Sequence, residues 1–302
     1  MTLLAHYVQH GPTGSALPPA PPAPSGARTA RLPDGRLHLN HGPIDLILGF
    51  DGAVGECRRA EERAISVFAD VLPVLVAELE HLKRPIGADL PPLRGPVASI
   101  MAHAVWPYRE RFITPMAAVA GSVAQHVLAG ALVGRHLRRA HANNGGDIAL
   151  WLAPGETLAL GVVSRLEVPT VDRRVILTAE SGVRGVATSG WGGRSFSLGI
   201  ADAVTIFASD ASASDAAATV VANAVNVDHS GIHRVPACSI QPDSDLGGLL
   251  VTTGVDLEDP QATAEALDAG AAEAARWVRE GTIRGALLYC GGHERAIGWT
   301  GA

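Results

Sequence analysis

The sequence predicts an α+β fold built on an antiparallel sheet, and three observations lead there. Strand-like and helix-like segments come in groups and do not strictly alternate, several strand candidates follow one another directly, and the apolar residues are mostly Ala, Val and Leu. Hydrophobic residues are 47% of the 302 and aromatics only 4%, so the core is made of small and medium side chains. A chain of this length buries enough apolar surface to fold without covalent staples.

Taken in order, the chain opens with a Pro-, Ala-, Gly- and Ser-rich run at 12–24, which reads as a flexible arm over residues 1–29 ahead of a single domain over 30–302. Strands are predicted over 36–40 and 44–48, with His41-Gly42-Pro43 as the turn. Ala60, Ala64, Phe68, Val71, Leu75, Leu79 and Leu82 recur at a helical period over 56–83, where Pro73 should kink or split the helix. A strand is predicted over 97–105. Thr114-Pro115 pairs an N-cap residue with Pro at the first helical position and opens a helix running towards Arg139. Strands follow over 148–153, 157–163, 174–178 and 204–208, then a helix over 215–225 and a strand over 249–253. Asp259-Pro260 opens a last helix that ends before Gly281, and 283–290 makes a final buried strand.

Composition removes several classes of function. The net charge is −6, without the basic stripe of a nucleic-acid binder; Arg135, Arg138 and Arg139 read as the basic last turn of a helix. Three cysteines with no C-x-x-C pair argue against a disulfide framework or a cysteine zinc site. The apolar stretch 116–133 is interrupted by Ser122, Gln125 and His126, which suits a buried helix better than a membrane span. With no secretory signal pattern at the start, the expectation is a cytoplasmic protein with neither nucleic-acid nor membrane partners.

Three stretches carry candidate chemistry. In Asn143-Asn144-Gly145-Gly146-Asp147 the paired glycines would let a backbone approach a ligand, with Asp147 at a strand entrance; a helix C-cap explains the same glycines. In Val186-Ala187-Thr188-Ser189-Gly190, followed by Gly192, Gly193, Arg194 and Ser195, hydroxyls, amides and an arginine could cradle phosphate; a glycine-rich hairpin turn is the plainer account. Asp215 and Thr219 stand one helical turn apart and could offer oxygen to a hard cation such as Mg²⁺, although Asp in a first turn is also an ordinary cap. Asp228, His229 and His233, and likewise Asp243-Ser244-Asp245, are polar loop sets that fit either cation binding or turns. Cys57 and Cys290 sit in apolar surroundings and read as inert, while Cys238 lies in a loop without an assignable base. No G-x-S-x-G elbow and no P-loop is present.

In order, Gly145-Gly146-Asp147-Ile148, Val186 to Gly190 and Asp215-Ala216-Ala217-Ala218-Thr219 resemble the motifs of the ApbE flavin transferases. The chain resembles still more closely an uncharacterised ApbE-like family of bacteria and archaea. That likeness lies in His41-Gly42-Pro43-Ile44-Asp45, Thr114 to Gly121, Gly192 to Ser197 and Pro242 to Gly247. The resemblance implies a T-fold-like antiparallel sheet with helices on one side. It also implies a phosphorylated heteroaromatic ligand, flavin- or pterin-like (FAD, FMN or a pterin), and Mg²⁺ at Asp215 and Thr219. Asn144, Gly145, Gly146, Asp147, Thr188, Ser189, Gly190, Gly193, Arg194 and Ser195 would then line the ligand site. Two departures stand out. Ala120 occupies the place of the family's lysine, and Arg194 to Asp202 replaces its His-Ile-Ile-Asp-Pro segment. An enzyme of transfer chemistry, an accessory protein of sulfur or pterin-linked one-carbon metabolism, and a true FAD:protein FMN transferase all remain readings of this resemblance. A protein partner and a homo-oligomer are further expectations.

Overall fold

The computed structural model describes residues 26–165 and 171–301, so the Pro-rich run at 12–24 lies outside the described residues. Strands β1 (Arg28–Arg31), β2 (Leu37–His41) and β3 (Ile44–Gly52) form an antiparallel meander. Alternation drives it. Leu37, Leu39, Leu46 and Leu48 are fully buried on one face, while His38 and Asp45 meet on the other at 2.5 Å. The predicted long helix is split into α1 (Val54–Ala69), α2 (Val71–Ala77) and α3 (Leu79–Leu82). Pro73 stands in the first turn of α2, where a missing N–H sacrifices no helical bond, so the break falls just before it.

Two expectations are corrected here. Residues 97–105 form helix α4 (Pro96–Val105), not a strand; Val97, Ala98, Met101, Ala102 and Val105 are its buried stripe. A short apolar run without charges fits either period, and the following spacing decided for the helix. The helix predicted to reach Arg139 stops much earlier. A 3-10 turn at Pro115–Ala118 leads into α5 (Val119–Leu132), and β4 (Leu137–Asn144) already contains Arg138 and Arg139. Both arginines bind Asp51 on β3 and are not helix-dipole partners.

The remaining strands and helices are β5 (Asp147–Leu152), β6 (Thr157–Val163), β7 (Val171–Thr178), β8 (Gly185–Ser189) and β9 (Ala203–Ala208), then α6 (Ala211–Ala224). After them come β10 (Ile232–Pro236), the short α7 (Ala237–Ile240), β11 (Leu250–Val255), α8 (Pro260–Arg279), β12 (Gly285–Cys290) and β13 (His293–Gly298).

Nine strands make one antiparallel sheet in the order β1-β2-β3-β4-β5-β8-β9-β12-β13. The fold is thus α+β with a large antiparallel sheet. Helices α1, α4, α5, α6 and α8 pack on one face, in two clusters built on leucines, valines and many alanines. The β6–β7 hairpin covers the middle of the other face, setting Leu158, Leu160 and Val175 against Ile148, Leu150 and Phe207. Between β5 and β8 the register is short: Ile148 faces Val186 and Ala149 faces Gly185. Strands β10 and β11 form a separate ribbon.

Pro115–Leu132 is the one segment among the described residues long and apolar enough to cross a membrane. Half of it is buried against α1, α6 and the sheet, as in a core helix. Helix α6 starts a turn before the predicted Asp215, because Asp210 caps it: its Oδ1 accepts from the Ala213 amide and the Ser212 hydroxyl, both at 2.8 Å. Asp210→Ala is expected to cost about 1 kcal/mol. The check is a lower urea midpoint with an unchanged denaturant slope.

Candidate functional site

The site begins at the β4–β5 turn. Asn144 and Asp147 face each other, and Gly145 and Gly146 between them have φ of +68° and +119°. A two-residue turn of this hand is left-handed at both central positions, which explains the glycine pair and corrects the expected helix C-cap. Asn143 Oδ1 accepts the Gly146 amide at 2.9 Å, and Asn144 Nδ2 donates to the Ala120 carbonyl at 3.2 Å. The turn is thereby tied to the first residues of α5.

Helix α6 crosses that same end of α5 very closely. A Cβ on Gly121 would stand 2.2 Å from the Ala211 carbonyl oxygen and 2.8 Å from the Asp215 Cβ, so only glycine permits the crossing. The Gly121 amide donates to Asp215 Oδ2 at 2.8 Å, and the Ala120 amide also bonds this carboxyl. Asp215 therefore occupies the positive end of α5. Asp215 also feels the charge of Asp147, whose carboxyl accepts the Thr188 amide and itself feels the charge of Arg194.

The charge of Asp147 perturbs Asp215. Burial, and next the charge of Asp147, push the Asp215 carboxyl well above the usual carboxylate range in spite of its two amide donors. Burial likewise pushes Asp147 up to about 7, against the opposing pull of the Thr188 amide and Arg194. Both residues nonetheless keep partial exposure. Each carboxyl is thus crowded by protein yet reachable from solvent. Among the described residues no group of three or more His, Cys, Asp or Glu could hold a metal, so these two acids do not belong to a cage made wholly of such side chains. Two carboxylates suit Mg²⁺, which commonly keeps waters and completes its shell with substrate phosphate.

The other predicted site residues divide into two groups. Arg194 and Ser195 are exposed beyond a turn closed by the Gly193 amide on the Gly190 carbonyl at 3.2 Å. The Arg194 guanidinium lies over the β4–β5 turn, with Nη1 2.8 Å from where a Gly145 Cβ would be. Ser189 ends β8 on the same face as Ala187, towards the helices, and Thr219 stands half-buried one turn beyond Asp215. Thr188 enters differently from expectation: its hydroxyl bonds Thr205 at 2.8 Å, on the face Val186 shares with the β6–β7 hairpin, and only its amide reaches Asp147. Gly190 is required for packing: a Cβ there would be 2.5 Å from the Asp202 carbonyl oxygen.

Other polar sets sit elsewhere. His233 pairs with Asp256 at 2.9 Å, the His229 ring accepts the Gly231 amide at 3.0 Å, and Asp228 is exposed. Asp243 bonds Lys83, and Asp245 accepts the Thr114 hydroxyl. Cys57 and Cys290 are buried, and burial pushes the Cys290 thiol up to about 12, far from a reactive thiolate; Cys238 is exposed. Sequence reasoning missed the Ala120 and Gly121 amides, whose role arises only from the helix crossing. It also missed Asn223, which holds the segment after Arg194 by accepting the Ser197 hydroxyl at 3.2 Å and the Leu198 amide at 2.9 Å.

The sheet and its helical layer define an antiparallel α+β protein in which the charge of Asp147 is felt by Asp215 and that of Arg194 by Asp147. The chain belongs to the family described as AbpE bacteria, whose model matches residues 29–296. It is similar to a UPF0280 protein of Methanothermobacter thermautotrophicus, 44% identical over 119 residues, 39% of this chain and 45% of the relative. It is also similar to those of Methanococcoides burtonii, 35% over 125 residues (40% and 50%), and Methanosarcina acetivorans, 36% over 143 residues (47% and 54%). The chain spans about half the length of the curated relatives it matches. Among solved structures, the apo flavinyl transferase ApbE of Pseudomonas stutzeri aligns with 90% of this chain and 93% of its own, at 10% identity and a TM-score of 0.40.

Proposed function

We propose that the cleft binds a phosphorylated small molecule together with a divalent cation, with Asp147 and Asp215 holding the cation and Arg194 holding the phosphate. The observation that carries this reading is the meeting of two desolvated carboxyls, whose like charges call for a proton or a cation between them. Amides of Ala120, Gly121 and Thr188 orient the two acids. The Thr219 and Ser189 hydroxyls and the Gly145–Gly146 turn complete the proposed lining. Membership of an ApbE-like family makes FMN, FAD and pterins the first ligands to try, with Mg²⁺ as the cation. Mg²⁺ would supply neutralisation of charge on a transferring phosphate.

A ligand that binds the native state raises its melting temperature. FMN with Mg²⁺ is expected to do so, and Arg194→Gln is expected to weaken FMN binding about tenfold while leaving riboflavin, which has no phosphate, unaffected. If FAD, FMN and pterin phosphates leave the melting temperature unchanged with and without Mg²⁺, the reading fails.

One observation favours a second reading, a binding protein without transfer chemistry in sulfur or pterin-linked one-carbon metabolism. Ala120 stands where related transferases have lysine, and its main chain is already engaged by Asp215 and Asn144. Incubation with FAD, Mg²⁺ and an acceptor peptide separates the two. A peptide mass gain equal to FMN means FAD:protein FMN transfer; ligand binding with no mass gain means an accessory role.

A further inference from the structure

We infer that the β10–β11 ribbon is a strap that fixes the spacing between the segment after Arg194 and the start of α5, with Asp245 as a positioning residue acting through Thr114. The inference deepens the cation reading above and rests on it for its effect on affinity. The ribbon touches both walls. At its root the Thr252 amide donates to the Ser197 carbonyl at 2.8 Å, on the segment that follows Arg194, and Arg234 donates to Asn226 just past the end of α6. At its tip, residues 241–249 are folded by consecutive turns: the Ser244 amide donates to the Gln241 carbonyl at 3.0 Å and the Gly247 amide to the Ser244 carbonyl at 3.2 Å. This firm tip extends two aspartates to the opposite wall. Exposed Asp243 meets half-buried Lys83, and Asp245 accepts the hydroxyl of Thr114 at 2.5 Å.

Thr114 is the informative end. It is 2% exposed and stands where an N-cap residue would, immediately before Pro115, yet its side chain caps nothing locally. The hydroxyl is committed instead to a residue on the ribbon. From Thr114 the chain passes through the 3-10 turn directly into α5, whose Ala120 and Gly121 amides hold Asp215. One element thus grips the arginine wall through Ser197 and the carboxylate wall through Thr114. Loss of the Asp245 contact frees the start of α5 to move relative to Asp215.

The test uses the whole chain labelled with ¹⁵N-glycine, reading hydrogen exchange at the Gly121 amide and, separately, Mn²⁺ affinity. Thr114→Val, nearly isosteric, and Asp245→Ala are each expected to speed Gly121 exchange about tenfold and to weaken Mn²⁺ binding by a similar factor, the scale typical of residues that orient ligands. The double variant should be no worse than either single one, since both remove the same contact. Thr114→Ser keeps the hydroxyl and should behave as wild type, and Lys83→Met, which breaks an exposed pair, should change neither readout. Wild-type Gly121 exchange in Thr114→Val and Asp245→Ala would overturn the strap, as would a Thr114→Ser variant as loose as Thr114→Val. If the wild type binds no Mn²⁺, the cation reading falls by itself, and Gly121 exchange alone decides the strap.

Discussion

Asp147→Asn stabilises the metal-free protein at pH 8 and removes its response to divalent cations. The sign follows from proton counting. Burial raises both carboxyls, Asp147 to about 7, and the charge of Asp147 raises Asp215 further, whereas in the unfolded chain they titrate near 4. For Asp147 the folded state holds more protons than the unfolded state between these limits, so its contribution to stability falls as pH rises from about 4 to about 7 and levels off above, and the raised Asp215 acts in the same direction. The favourable contribution is complete below the unfolded value and lost through the folded one. Asparagine cannot ionise but still accepts the Thr188 amide, so the variant should lose much of that slope. In EDTA at pH 8 its melting temperature should rise by roughly 2 °C or more for each kcal/mol of charge-burial cost removed. Mg²⁺ should stabilise the wild type at pH 8 far more than at pH 5, because protons and cation compete for the pair. In Asp147→Asn and Asp215→Asn cation affinity should fall at least about a hundredfold, the extreme of the range for perturbed metal sites. Melting curves from pH 4 to 8 in EDTA and in Mg²⁺ provide the check. An Asp147→Asn protein less stable than wild type in EDTA at pH 8 would refute the repelling pair.

Gly121→Val is expected to be the most damaging single change in the helical layer. The added side chain meets the Ala211 carbonyl oxygen, a main-chain atom 2.2 Å from the Cβ position, so α5 and α6 must separate. Forced overpacking of this kind costs at least about 3 kcal/mol. The same shift withdraws the Gly121 amide from Asp215, so cation affinity should fall with stability. Gly130→Ala on the same helix is the comparison: its Cβ meets only the Val67 side chain, which can give, and the loss should be smaller. Urea unfolding of both proteins decides the order.

The parts of the fold that announce themselves in the sequence do so through redundancy. Helix α8 combines a period, a capping Asp259 that accepts the Gln261 and Ala262 amides, and Pro260 at its start. Helix α4 lacks polar punctuation, and β4, reading Leu-Arg-Arg-Ala-His-Ala-Asn-Asn, hides its alternation behind polar side chains that are buried on both faces. The glycine pair and Asp215 stood out by their motif resemblance. Their meeting in one site is an expectation of that resemblance; the contact of the Ala120 and Gly121 amides with Asp215 is not, because it depends on where α5 and α6 cross. Gly121 reads in isolation only as a weak helix former. Thr188 shows the sharpest limit: a single step of strand alternation decides whether its hydroxyl or its amide meets the cleft, and only the neighbouring strands fix that step.

The short register between β5 and β8 has a bearing on all of this. Two facing pairs, Ile148 with Val186 and Ala149 with Gly185, and the Leu150 amide on the Arg184 carbonyl stitch the amino-terminal leaf of the sheet to the carboxy-terminal leaf. Asp147 belongs to the first leaf; Asp215 and Arg194 belong to the second. Whatever bridges the two acids also clasps the leaves across their thinnest seam, so occupancy of the cleft and cohesion of the whole sheet should rise and fall together.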